Sequence, residues 1–454
     1  MSQIFDEYLT SGFFALAPVL MRDFDLTNSS ITWPASITSL VVSAFLLTFG
    51  RLTDIRGGLL VYMVGIAWSS LWTLLAALSR NLWMLTVCRA MQGLGAAAHL
   101  PAGLATLGTS YTPGTRKNLI FSIYGAMAPL GSFLGILVAS VVSRYAHWSR
   151  YFWIGGAFAS LALVGSYFTR PLMTTIPRAD GVRMDWLGSL TLAVTAILSV
   201  FTITQAPIAE HGWRSSSIIA TGTSAVVALA ITIYVEGWVA EQPLVPYSVF
   251  RIKYIRPLLI GLLLSYGAVS LYSYYATMYI RNVIGAGPMK LFAWFTPMAI
   301  GGCLLAILGG YLMHVVSGTI VLIFSSSAVA VSAVLFICAP DDPSYWAWIF
   351  PAMVCATISI DLIYSLVNVF LKTKLPPHQQ GVAGSLAHSL VQFGGALLLG
   401  IASGVNDAQP DEGEAMKYRD AFWLQFACGV VALIIFVGFV RIEKAGGGPP
   451  AEED

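Results

Sequence analysis

Leu85 to Pro101 reads LTVCRAMQGLGAAAHLP, an apolar run with a guanidinium inside it. Arg89, Gln92, Ala96 and His99 follow i, i+3, i+7 and i+10, so a helix places them on one face. Gly93, Gly95, Ala96 and Ala97 keep the backbone slim beside that face. An arginine deep in lipid costs several kcal/mol, so Arg89 is expected to face a bundle interior or a wet cavity. Asp361, Tyr364 and Asn368 follow i, i+3 and i+7 in a second apolar run, again one face. Asp361 is the one acid well inside the six C-terminal apolar runs. A carboxyl in a low-dielectric cavity suits proton loading, or it neutralises a cationic ligand. Asp6 and Glu7 add two carboxyls to the first apolar run. Tyr272 and Tyr275, with Tyr266, Tyr274 and Tyr279, offer an aromatic wall for a flat or cationic ligand. His99 suits either a charge that changes near neutral pH or helix packing. His388 and Gln392, one turn apart, read as packing, and Glu236 at a span end reads as solvated.

These residues need helices long enough to cross a bilayer to position them. The chain is 57% hydrophobic and 10% charged, with a mean hydropathy of +0.76, against about 25% charge in a soluble domain. Apolar stretches of about 20 residues fall at 2–20, 33–50, 59–78, 82–108, 119–142 and 151–168, then at 186–206 and 216–238. Six more fall at 257–280, 291–313, 319–339, 345–370, 382–405 and 420–440. The expected fold class is an all-α polytopic membrane protein of fourteen spans in contact with the lipid bilayer. Net charge of +2 without a basic run excludes a nucleic-acid partner. The five cysteines lie in apolar stretches without a CxxC, which argues against disulfides and metal. No GxxxxGK[ST] loop, HExxH or paired catalytic aspartates appear, so neither ATP-driven pumping nor an enzyme is expected, and no cofactor.

Short connections make neighbouring spans antiparallel. If the chain starts inside, fourteen Lys and Arg in the connections lie on the cytoplasmic side and nine outside, which favours cytoplasmic termini. Asn28-Ser29-Ser30 is then an outer glycosylation sequon, close to two spans. No cleavable signal pattern is present. The first span has its acids very near its start, as in a short helix or a chain that begins downstream of its true start. The tail Gly446 to Asp454 is rich in Gly, Pro and acids and reads as disordered.

Between the second and third spans lies GRLTDIRGG, residues 50–58. Gly50 and Gly57 permit a tight turn. Asp54, with Arg51 or Arg56, makes a candidate latch that holds one conformation and breaks in another. At an offset of 260, Gly310, Leu312 and Gly318 match Gly50, Leu52 and Gly58, with His314 in place of Asp54. A weak internal repeat joining two six-helix halves is the mark of a duplicated transporter.

Together these motifs resemble the major facilitator superfamily. GRLTDIRGG is similar to its loop motif G-x-L-x-D-x-x-G. Leu85, Arg89, Gln92, Gly93 and Gly95 match its fourth-span motif L-x-x-x-R-x-x-Q-G-x-G. Two extra central spans, introduced by Asp185-Trp186-Leu187-Gly188, resemble the fourteen-span drug:proton antiporters. In detail the chain resembles the fungal branch with aminotriazole-resistance, boron-efflux and low-affinity ammonium transporters. The resemblance implies a major facilitator fold: an N-terminal six-helix half at 1–168, two extra spans and linkers at 169–256, a C-terminal half at 257–440 and a cytoplasmic tail at 441–454. It further implies that core spans 1, 4, 7 and 10 line a central cavity. It also implies a plasma-membrane monomer whose partners are a small-molecule substrate and protons. The fifth-span antiporter motif G-x-x-x-G-P-x-x-G-G is altered: Gly131 and Gly135 stand, Ile136 replaces the proline, Ala139 and Ser140 replace the last glycines, and Pro129 lies seven residues earlier. Three functions follow as expectations: a proton-coupled exporter of a drug, toxin or secondary metabolite, a facilitator or importer of a small cation such as ammonium, and a sensor that binds without transporting.

Overall fold

The computed structural model describes residues 1–26, 28–110, 115–169, 183–206, 209, 211–340, 342–374, 380–407 and 414–444. Fourteen long helices and one short one account for nearly all of them. The N-terminal six are α1 (Ser2–Asp23), α2 (Asn28–Arg56), α3 (Gly58–Ala76), α4 (Leu82–Ser110), α5 (Thr115–Tyr145) and α6 (Ser149–Thr169). Then come α7 (Trp186–Gln205), α8 (Ser216–Tyr234) and the short α9 (Tyr247–Arg251). The last six are α10 (Ile255–Met278), α11 (Pro288–Val315), α12 (Gly318–Ile337), α13 (Phe350–Lys374), α14 (Gln380–Asp407) and α15 (Glu414–Phe439). Among the described residues, thirteen helices are long and apolar enough to cross a membrane. The fourteenth long helix, α4, is the one that carries Arg89, Gln92 and His99, whose polarity lowers its mean hydropathy.

The two sets of six pack alike. Helix α1 lies on α5 as α10 lies on α14, α2 on α4 as α11 on α13, α3 on α4 as α12 on α13, and α3 on α6 as α12 on α15. Glycines set the closest of these crossings. A Cβ on Gly135 would stand 2.6 Å from the Tyr8 carbonyl oxygen and 3.0 Å from the Gly12 nitrogen. In the second half a Cβ on Gly394 would stand 2.4 Å from the Leu263 carbonyl oxygen and 3.4 Å from the Gly267 nitrogen. Small residues at such crossings let helices approach where lipid supplies no hydrophobic drive. This pairing of Gly12 with Gly135 and of Gly267 with Gly394 is a repeat that the loop motif alone did not reveal.

The halves meet along two seams, α2 on α14 and α5 on α11. Helix α7 packs on both α2 and α14, flanking the first seam, and α8 packs on α7. In the second seam the Pro129 ring faces Gly302: a Cβ on Gly302 would stand 2.7 Å from Pro129 Cγ and 2.8 Å from its Cβ. A proline ring has no rotamer by which to withdraw. Gly302→Val is therefore expected to force α5 from α11 at a cost of about 1–3 kcal/mol, read as a lower melting midpoint in detergent. An unchanged midpoint would mean that this seam parts without penalty.

One end of the bundle, where α1 and α10 finish, is sealed by contacts between the halves. Phe14 meets Tyr274 edge-on at 5.4 Å between centroids, and Phe133 meets Phe292 at 4.9 Å. The hydroxyls of Thr32 and Tyr274 lie 3.3 Å apart. A continuous apolar cluster joins both halves there. At the opposite end the cluster belongs to the second half, with Leu47 of α2 as its N-half member.

The short loop expected between the second and third spans is nearly absent. Gly50, Asp54 and Arg56 extend α2, and Gly57 alone turns the chain, at φ 92°, a conformation that suits glycine. Apolar stretches stop at the first polar residues, whereas helical hydrogen bonding continues through them, so α2 outlasts its stretch at both ends. The Asn28, Gly310 and His314 side chains and the tail beyond Lys444 lie outside the described residues.

Candidate functional site: a two-half cavity

Arg89 is fully buried in the N-terminal half. Its Nε donates to the Pro34 carbonyl of α2 at 3.2 Å, and its Nη1 donates to the Leu9 carbonyl of α1 at 3.1 Å and to Gln92 Oε1 at 3.2 Å. The guanidinium lies 4.3 Å from the Phe13 ring centroid. Among the described residues Nη2 has no hydrogen-bond partner. Asp6, 5% exposed and on the same turn of α1 as Phe5, is the carboxylate whose charge reaches Arg89, but the two form no ion pair. The glycines of the motif explain this burial. A Cβ on Gly93 would stand 2.6 Å from the Thr38 carbonyl oxygen of α2, and one on Gly95 would stand 2.9 Å from the Gly65 carbonyl oxygen of α3. Both neighbours therefore close over α4. His99 is likewise fully buried, between the Phe5 and Tyr62 rings, with neither ring nitrogen hydrogen-bonded among the described residues.

Beside Asp6, Glu7 turns toward α5, where Ser132 donates to its carboxylate at 3.1 Å. Asp361 sits in the middle of α13, partly exposed, and its Oδ2 would lie 3.3 Å from a Cβ on Gly302. Glu7 and Asp361 come from opposite halves and flank the same turn of α5, Glu7 at Ser132 and Asp361 beside Gly302, which faces Pro129. Tyr266 and Tyr364 share that space, their rings 5.9 Å apart, and Tyr266 donates to the Ile360 carbonyl at 2.8 Å. Asn368 donates to the Tyr364 carbonyl at 2.9 Å. Tyr124 of α5 stands near Asp6 and Tyr364. Glu7, Asp361, Tyr364 and Asn368 all keep partial exposure.

The structure thus brings together Glu7, Asp361 and Tyr364, with Asp6 at the edge, and places Asn368 one turn from Tyr364. It sets Arg89, Gln92 and His99 into the wall of the first half. Tyr272 and Tyr275 belong to the seal, on Phe336 and on Tyr274 and Tyr418 respectively. Sequence reading missed Tyr124, Ser132 and Gly302. The displaced Pro129 was the available signal for the seam at Gly302.

At the end of α2, Arg51 does not close on the acid beside it. Its Nη2 donates to Gln242 Oε1 at 2.9 Å and its Nε to the Arg183 carbonyl at 3.2 Å, tying α2 to the linkers around α7 and α8. Arg56 is exposed. Among the described residues the one salt bridge joins Arg183 and Glu241, both largely exposed. Glu236, expected to be solvated, turns inward and accepts from the Val245 amide at 3.1 Å.

The Major Facilitator Superfamily profile matches residues 1–399. Over 440 residues the chain is 32% identical to the low affinity ammonium transporter of Saccharomyces cerevisiae, covering 93% of this chain and 83% of that one. It is 28% identical to the efflux pump terJ of Aspergillus terreus, covering 98% and 87%, and 28% identical to the aminotriazole resistance protein of Saccharomyces cerevisiae, covering 98% and 84%. A crystal structure of the peptide transporter POT superposes with a TM-score of 0.67 at 15% identity, covering 98% of this chain and 95% of that one. With a matched profile over most of its length, relatives along nearly all of it and two halves that pack alike, the chain is a multi-pass membrane protein of the Major Facilitator Superfamily, a family of transporters.

Proposed function

We propose that this protein is a proton-coupled secondary transporter that exports a small organic compound by alternating access. The observation that carries the reading is that Glu7 and Asp361, one carboxylate from each half, flank one turn of α5, Pro129 to Ser132, inside a bundle sealed at one end. A proton or a cation held between them favours one approach of the halves, and its departure restores their repulsion. The moving units are 1–168 and 257–440, with 169–256 flanking the α2–α14 seam and 441–454 as a tail. Rocking about a midplane site then opens each end in turn. The distribution of Lys and Arg supports cytoplasmic termini, with the sealed end facing outward, and a plasma-membrane monomer completes the reading.

A second reading, a facilitator of a small cation such as ammonium, is favoured by the same acidic, tyrosine-lined interior and by the ammonium-transporter relative. Purified protein in vesicles enclosing a pH-sensitive dye separates the two. Adding aminotriazole across an imposed pH gradient is expected to dissipate the gradient faster than in empty vesicles. Methylammonium uptake that ignores the gradient, with no aminotriazole-dependent proton flux, would replace the first reading by the second.

A further inference from the structure

Helix α14 carries a half-buried imidazole, His388, outside the cluster of carboxylates. His388 Nδ1 lies 3.3 Å from the Tyr364 hydroxyl, and the two rings meet edge-on at 6.2 Å between centroids. Its Nε2 is buried and has no hydrogen-bond partner among the described residues. Tyr364 lies one turn beyond Asp361 on the same face of α13 and beside Tyr266 of α10. One turn before His388, Ser385 abuts Gly50 of α2: a Cβ on Gly50 would stand 2.9 Å from Ser385 Oγ. The imidazole therefore stands between the carboxylate of the cavity and the seam along which the halves meet.

We propose that Tyr364 and His388 form a relay that carries a proton between Asp361 and the α2–α14 seam, apart from the substrate's own path. The proposal rests on the proton-coupled reading. An exporter must release its proton to the side from which substrate arrives, and a substrate that fills the cavity obstructs that exit. A lateral route removes the conflict. In the outward step of the relay the Asp361 carboxyl gives its proton to the Tyr364 oxygen, directly or through cavity water. The Tyr364 hydroxyl gives its own proton to His388 Nδ1, and a carboxylate, a neutral phenol and an imidazolium remain. Loss of the Nε2 proton leaves the other tautomer. A ring flip, or gain of a proton from water at Nε2 with loss of the Nδ1 proton to water, restores the starting tautomer and resets the relay.

The groups that bear on His388 are few. From α13 they are Tyr364 and, one turn away, Asp361. From α10 it is Tyr266, and across the cavity Glu7, whose charge reaches Tyr364. From α2, Arg51 follows Gly50 but is held by Gln242 and the Arg183 carbonyl. Helix α7 meets α14 through Thr204 against Gly400, three turns farther along.

The infrared carboxyl band of protonated Asp361, identified by its loss in Asp361→Asn, reports the arrival of a proton after a rapid drop in pH, measured with saturating aminotriazole so that the cavity is filled. His388→Asn puts an amide oxygen near the place of Nδ1, so it keeps an acceptor for the Tyr364 hydroxyl but cannot carry a proton. The band is expected to rise more slowly by about tenfold or more in His388→Asn and in Tyr364→Phe, and no more slowly in the double variant than in the slower single one. Rates equal to that of the unaltered protein in His388→Asn would mean that cavity water feeds Asp361 directly, and would overturn the relay while leaving proton coupling intact. If Asp361→Asn removes no band, Asp361 does not load a proton, and both the relay and the coupling reading fail.

Discussion

Arg89→Lys is expected to destabilise this protein more than Arg89→Met does. The guanidinium is fully buried and its three hydrogen bonds go to neutral oxygens, two of them main-chain carbonyls on different helices. No carboxylate stands within ion-pair distance among the described residues. Burial of the charge is therefore offset by hydrogen bonds, by the Phe13 ring and by the more distant Asp6. A lysine retains the charge but has one compact ammonium in place of a planar fork, so it cannot span Leu9 and Pro34 as Arg89 does. Losing one or two charge-assisted bonds while the charge stays buried costs about 2–4 kcal/mol. Methionine removes the charge together with its desolvation penalty and fills much of the same volume, so the stability read from the melting midpoint should stay within about 1 kcal/mol of the unaltered protein's. Transport should fall in both variants. A charge this costly to bury is expected to serve transport rather than stability. A lysine variant as stable as the unaltered protein would show that the fork geometry is not what holds α1, α2 and α4 together.

What the sequence reveals about this site, and what it conceals, follows from one distinction. Helical periodicity assigns residues to a face of their own helix, and no periodicity says which neighbour covers that face. Arg89, Gln92 and His99 do share a face, and polarity alone marks α4 among the fourteen long helices. Yet Gly93 and Gly95, read only as slimness, admit α2 and α3 so closely that the face becomes wall rather than cavity. Asp361 and Tyr364 were legible because an acid in an apolar helix has few places to go. Their convergence with Glu7 depends on the two halves docking at α5, which brings together residues more than 350 positions apart. The same holds for His388, whose spacing with Gln392 suggests packing and whose partner lies on another helix. Arg51 was read as half of a local latch. The linkers around the extra helices offer it a carbonyl and an amide oxygen, with no carboxylate to desolvate. Tyr272 and Tyr275 were recognisable as buried aromatics, but the sequence does not say that their end of α10 is the sealed one.

Replacing Asp361 by asparagine should abolish gradient-driven transport and spare exchange. If one proton moves per cycle, each pH unit across the membrane supplies about 1.4 kcal/mol and so sustains a substrate ratio of about ten. Asparagine matches the shape of the carboxyl and cannot release a proton, so this ratio should collapse to about one. Equilibrium exchange of labelled for unlabelled substrate, which moves no net proton, should persist, because the halves can still rock around a loaded site. Glu7→Gln sets a useful contrast. Glu7 is held by Ser132 and faces Asp361 across the cavity, so its loss removes a repulsion but leaves the second carboxyl in place. Coupling should survive in Glu7→Gln, should be lost in Asp361→Asn, and should not return when the two are combined. The opposite pattern, coupling lost with Glu7 alone, would move the proton site to the first half, next to Asp6 and within the charge of Arg89. Asp361 would then be left to balance a cationic substrate. Pro129 and Gly302 would then bring the substrate-binding carboxylate, rather than the proton-binding one, to the boundary between the halves.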